Sequence, residues 1–96
     1  MKILIVEDEA TDRLMLRSAV QHLGHECLVA SSGAAGWEMF GVHQPDVVLS
    51  DWRMPGMDGL ELCRRIRAGE WSTYTPFICH RSDRQGARAG RHGGRR

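Results

Sequence analysis

Two short aliphatic runs, each ending in acid, constrain this chain more than anything else in it. Ile3-Leu4-Ile5-Val6 runs into Glu7-Asp8-Glu9, and Val47-Val48-Leu49-Ser50 runs into Asp51. Apolar residues in succession, without polar alternation, predict strands buried on both faces. That is the habit of parallel sheets covered by helices. Parallel neighbours cannot be joined by a tight hairpin, so the segments between such strands must be long crossovers.

The intervening residues carry the helical signals that such crossovers need. Thr11 or Asp12 can cap a helix in which Leu16, Val20 and Leu23 recur, and Gly24 stands where a left-handed C-terminal cap is wanted. Residues 25–30 read as a weaker strand around Cys27, Leu28 and Val29. Ser31 or Ser32 can cap a second helix with Trp37 and Phe40 on its inner face, which Pro45 ends. Gly33, Gly36 and Gly41 should each weaken that helix by about 1 kcal/mol relative to Ala. Asp58 and Glu61 form a D-x-x-E capping box for a third helix with Leu62 and Ile66 inward and Gly69 at its end. Pro76-Phe77-Ile78-Cys79 reads as a short fourth strand. Strands alternating with helices imply βαβ units, with four strands and three helices in residues 1–80.

Charge divides the chain in two. Residues 1–80 are net −4, whereas residues 81–96 hold six arginines, four glycines and one Asp, and are net +5. The second stretch has no large apolar residue to build a core from, so a basic Gly/Arg-rich tail without fixed structure is expected. Its arginines could neutralise nucleic-acid phosphates, but the tail has no interleaved aromatics and the body is acidic, so nucleic acid is not the expected partner. No apolar run reaches the length of a membrane span, so no membrane role is expected. Three cysteines without paired spacing fit a reducing, cytoplasmic setting.

In open parallel sheets the ligand crevice lies beyond the carboxyl ends of the strands. If the first and third strands are neighbours, Glu7, Asp8 and Asp51 converge at one rim. Like charges so close would stay partly protonated unless a cation joined them, and Mg²⁺ suits carboxylates. The plainer reading is that strand ends are rich in solvated acids. His25-Glu26-Cys27 and Cys79-His80 each lack the second pair that a tetrahedral zinc site needs, so zinc is not expected. Trp52 belongs on the rim, and Trp71, in a polar loop, reads as a surface or interface residue.

The segments Ile3–Glu9 and Pro45–Gly59, with the acidic strand ends and the Met54-Pro55-Gly56-Met57-Asp58-Gly59 loop in order, resemble a bacterial response-regulator receiver domain (CheY-like) over residues 1 to about 78. The resemblance implies an α/β fold, an incomplete flavodoxin-like (CheY-like) doubly wound parallel sheet of order 2-1-3-4. It also implies phosphotransfer to an aspartate from a sensor histidine kinase or phosphotransfer protein. Carried over by position, Asp51 would be the phosphoacceptor. Glu7 and Asp8 would be the acidic pair holding Mg²⁺, with Asp51 and the Arg53 backbone carbonyl as further ligands. Such a chain would be a phosphoacceptor rather than an enzyme.

The pattern departs after Ile78. The hydroxyl residue expected five positions past Pro76 is replaced by Arg81, Ser82 is one place late, and the lysine of a fifth strand lies beyond the last residue. The resemblance therefore implies a C-terminally truncated receiver over 1–80 with an added tail over 81–96, produced by a shifted reading frame or an engineered shortening. Phosphorylation at Asp51 should be impaired. A phosphorylation-silent interaction fragment is the rival reading. An unpaired fourth strand and a partly uncovered sheet also predict a homodimer or swapped oligomer.

Overall fold

The computed structural model describes residues 1–80 of the 96; the stretch 81–96 lies outside the described residues, and with it Arg81, Ser82 and the expected tail. The chain alternates as β1 (Lys2–Val6), α1 (Ala10–His22), β2 (Glu26–Ala30), α2 (Gly33–His43), β3 (Val47–Asp51), α3 (Gly59–Ala68) and β4 (Phe77–His80). All strand pairs are parallel, and the sheet order is β2-β1-β3-β4, as the resemblance implied. No helix among the described residues is long and apolar enough to cross a membrane.

The alternation of side chains along a strand explains the unbroken aliphatic run of β1. Leu4 and Val6 join Val48, Phe40, Leu62 and Ile66 in the larger core cluster, with α2 and α3. Ile3 and Ile5 point the other way and pack with Val20 of α1, flanked by Leu16, Val47 and Leu49. Neither face of β1 can therefore tolerate a polar residue until the strand ends.

Helix ends follow local chemistry, with one correction. Ser32 Oγ accepts from the Ala35 N–H at 3.1 Å and starts α2, and Asp58 Oδ1 accepts from the Glu61 N–H at 2.9 Å and starts α3. The first cap, however, is neither Thr11 nor Asp12. Glu9 holds that position, with its side chain accepting from the Asp12 N–H at 3.0 Å. Helix α1 consequently begins two residues earlier than a Thr11 cap would place it and three earlier than an Asp12 cap. Leu23 falls on its C-cap and is 71% exposed rather than inward. Gly24 follows at φ 89°, as its position suggested.

Trp71 is a second correction. It packs edge-on against Phe40, with ring centroids 4.8 Å apart, and against Trp37 at 6.2 Å. Its indole N–H donates to the Ile66 carbonyl at 2.7 Å. The loop after α3 folds back onto α2, and an indole with its one donor satisfied belongs in a core.

The glycines of α2 are not equivalent. A Cβ on Gly36 would stand 2.8 Å from Val6 Cγ2 and 3.1 Å from Val6 Cγ1, so only glycine lets α2 lie this close to β1. A Cβ on Gly41 would meet nothing within 4 Å. Gly41→Ala should therefore stabilise the protein by about 0.5–1 kcal/mol through helix propensity. Gly36→Ala should destabilise it by about 1–3 kcal/mol through overpacking against a stiff β-branched side chain. Urea denaturation of the two variants checks the opposite signs.

Candidate metal centre

Strand register builds the site. Val6 is level with Ser50 in the β1–β3 ladder, so the next residues, Glu7 and Asp51, are neighbours. Asp51 is in turn level with His80 in the β3–β4 ladder. Residues in register on parallel strands share a face. Glu7, Asp51 and His80 thus form one polar row across three strands, at the carboxyl ends where open α/β sheets place their ligands.

The backbone fixes this row on both sides. The Glu7 N–H donates to the Ala30 carbonyl at 3.0 Å, and the Trp52 N–H donates to the His80 carbonyl at 2.8 Å. Arg13 Nη1 donates to the Glu7 carbonyl at 2.9 Å, tying the start of α1 to the end of β1. Gly59 opens α3 directly against β3: its N–H donates to the Trp52 carbonyl at 3.2 Å, and a Cβ there would collide with the Asp51 carbonyl oxygen. Ser50 Oγ, also buried, donates to that same carbonyl at 3.0 Å.

The carboxylates themselves are poorly satisfied. Glu7 and Asp51 have no exposed surface. Glu7 Oε2 accepts from the Glu9 N–H at 3.0 Å. Glu7 Oε1 and both carboxylate oxygens of Asp51 are buried without any hydrogen-bond partner. Ligand atoms of Glu7, Asp51 and His80 all lie within 4.8 Å of one another, and His80 Nε2 is 3.8 Å from Glu7 Oε1. Burial pushes the Glu7 carboxyl from its ordinary 4.5 up to about 7. The Glu9 N–H opposes that rise, while the neighbouring carboxylates of Asp51 and Asp8 add to it.

Of the residues singled out from sequence, Glu7 and Asp51 come together as expected. Asp8 is partly buried beside Glu7 but stands outside the row of three. Arg53 lies two residues past Asp51 with an exposed side chain, and Trp52 is 39% exposed. His80 is the member that sequence reasoning missed. The available signal was its place as the last residue of a fourth parallel strand, level with the end of the third. Buried oxygens without donors, on adjacent strands, fit a hard divalent cation such as Mg²⁺, which takes oxygen ligands from one or two carboxylates plus water.

Comparison with known proteins agrees with this geometry. The sequence profile of the response regulator receiver domain matches residues 3–94. The phosphate regulon transcriptional regulatory protein PhoB of Pseudomonas aeruginosa is 40% identical over 76 residues, which is 79% of this chain and 33% of PhoB. A chemotaxis protein CheY homolog of Campylobacter jejuni is 37% identical over 80 residues, 81% of this chain and 62% of that protein. The chain thus spans a third of the one relative and under two thirds of the other. Among solved structures, the receiver domain of sensor histidine kinase PA1611 from Pseudomonas aeruginosa PAO1 superposes with a TM-score of 0.79 at 28% identity, covering 92% of this chain and 73% of that one. That structure is described with a magnesium ion coordinated in its active site cleft.

The raised Glu7 value has a definite consequence for stability in metal-free solution. A carboxyl whose folded pKa exceeds its unfolded one stabilises the fold fully below the unfolded value, and that contribution is lost as pH rises through the folded value. The Glu7 contribution should therefore decline between about pH 4.5 and about 7. Glu7→Gln keeps the neutral form at every pH. It should be more stable than the parent at pH 8 by about 1–3 kcal/mol and no more stable at pH 4.5. Urea denaturation in chelator at both pH values reads the difference.

Proposed function

The chain belongs to the response regulator receiver domain family, and from that premise we propose that it is a phosphoacceptor module of a two-component phosphorelay, modified on Asp51 with Mg²⁺ as cofactor. One observation carries the reading. Asp51 sits buried at the end of β3 beside Glu7, with both carboxylate oxygens lacking a donor. The partner is a sensor histidine kinase or a phosphotransfer protein, and the setting is cytoplasmic. The chain is a substrate of transfer that assists its own modification, not an enzyme.

An Asp51 carboxylate oxygen attacks phosphorus and forms the new O–P bond. The P–N bond of the donor phosphohistidine breaks, and its imidazole leaves with the bonding pair. Glu7, Asp8, Asp51 and the Arg53 carbonyl would hold Mg²⁺, which when bound neutralises charge on the acceptor and the transferring oxygens. Glu7 must ionise to serve as a ligand, so proton and cation compete at this carboxyl. Burial excludes water from the acceptor, and the ladder on either side of the row holds Asp51 in one orientation.

We also propose self-association. Among the described residues β4 is an edge of the four-stranded sheet with Ile78 53% exposed, and Leu14 and Met15 of α1 are more than half exposed. Light scattering at high micromolar concentration should give a dimer mass, and a monomer mass would overturn this part.

The function itself is tested with acetyl phosphate and Mg²⁺, followed by intact-mass spectrometry. The expected outcome is gain of one phosphoryl group, lost in Asp51→Asn and in chelator. No gain after prolonged incubation, or gain that survives Asp51→Asn, would overturn the reading and leave a phosphorylation-silent docking module.

A further inference from the structure

His80 has no role in the proposal above. Its imidazole is 25% exposed, yet Nε2 is buried and has no hydrogen-bond partner. At 3.8 Å from Glu7 Oε1 it is too far for a hydrogen bond. That spacing does suit two ligands of one ion. With bonds of about 2.0–2.2 Å to nitrogen and oxygen, ligand atoms on a single centre lie about 3 Å apart at right angles and about 4 Å apart when opposed. Because all three groups fall within 4.8 Å of one another, side-chain shifts of under about 1 Å would bring them onto a common centre. Asp51, fully buried with both oxygens lacking donors, is the independent sign that something positive belongs there.

We infer that His80 is a metal ligand of this chain, and that with Glu7 and Asp51 it makes a mixed nitrogen–oxygen site that takes a borderline divalent cation such as Co²⁺ or Zn²⁺ in preference to Mg²⁺. The inference rests on the reading of Asp51 and Glu7 as a cation site and adds a selectivity to it. Donor chemistry gives its direction. Carboxylate, carbonyl and water suit Mg²⁺, whereas imidazole suits zinc, copper, iron and nickel. Sequence spacing gave no zinc signal because the other two ligands come from β1 and β3, not from a second Cys/His pair in the chain. His80, the most exposed of the three, is the first group that an entering ion meets.

First-row ions bind many nitrogen–oxygen sites well, so the decisive quantity is dependence on His80. The test titrates the full 96-residue chain with Co²⁺ and, separately, with Mg²⁺, following Trp52 fluorescence and cobalt visible absorption. His80→Ala should weaken Co²⁺ at least tenfold and change Mg²⁺ by less than twofold, and the cobalt bands should lose intensity with it. Loss of both ions to a similar degree would mean that His80 acts through packing or charge, and the inference falls. No change in Co²⁺ affinity overturns it as well. Should His80→Ala fail to fold, His80→Leu, which suits an apolar strand, replaces it. Paramagnetic shift of the His80 ring signals by Co²⁺ in the unaltered chain gives a second readout, and unshifted signals at saturation overturn the inference. Failure of the underlying reading looks different: Mg²⁺ then gives no response in the unaltered chain, and Asp51→Asn leaves Co²⁺ binding intact.

Discussion

Parallel register on β1, β3 and β4 is the constraint from which the rest of the molecule follows. Because Val6 is level with Ser50 and Asp51 is level with His80, every residue at the strand ends is assigned a face before any side chain is considered. Up to Val6 both faces of β1 are spoken for, one by Phe40, Leu62 and Ile66 and the other by Val20. The first position free of helix cover is the next one, and there the chain places Glu7. Shifting one strand by a single residue would turn its whole side-chain set to the opposite face. It would carry Asp51 away from Glu7 and put Ser50 or Trp52 in its place. Core packing and site assembly therefore enforce the same register.

That arrangement works against the fold as much as for it. Burying a carboxylate carries an effective penalty of several kcal/mol unless hydrogen bonds or an opposite charge offset it. Here Glu7 has one backbone donor and Asp51 has none on its carboxylate. The rise of Glu7 to about 7 is the metal-free response to this cost, in which a proton stands in for a cation. A site at ease without an ion would have little affinity for one. The fold instead brings these oxygens together and leaves them without donors, which is the condition under which a cation would be held.

Much of this was legible from residues alone, for reasons that differ by element. The strands showed because a doubly buried strand has to be apolar throughout, and Ile3–Val6 has no alternative use. The Asp58 cap showed because an Asp three residues before a Glu leaves a local signature. Glu9 as a cap was hidden, since Glu is not among the preferred capping residues and Thr11 and Asp12 competed for the position. Trp71 was hidden because its partners, Trp37 and Phe40, are some thirty residues away and its own neighbours are polar. His80 was hidden for a related reason. Its meaning depends on the one-residue extension of β4 and on the register with Asp51, neither of which has a local signal. The Asp58 cap was readable within one turn of helix, whereas the roles of His80 and Trp71, made by strand pairing and a returning loop, were not.

Glycine placement shows how the site is mechanically connected to its surroundings. Gly59 lets the first turn of α3 rest on the Asp51 carbonyl, and Gly36 lets α2 rest on Val6. Both contacts abut the polar row without contributing a polar atom to it. Ser50 and Gly59 converge on the backbone of Asp51, while Asp58, one residue away, caps the helix that Gly59 begins. A change of charge at Asp51 is thus one carbonyl removed from the start of α3, through an approach too close to absorb movement with a side-chain rotation. Packed contacts of this kind transmit displacement because protein interiors are dense and compress little. The β3–α3 junction is accordingly the part of the described structure best placed to respond to a change of charge at Asp51.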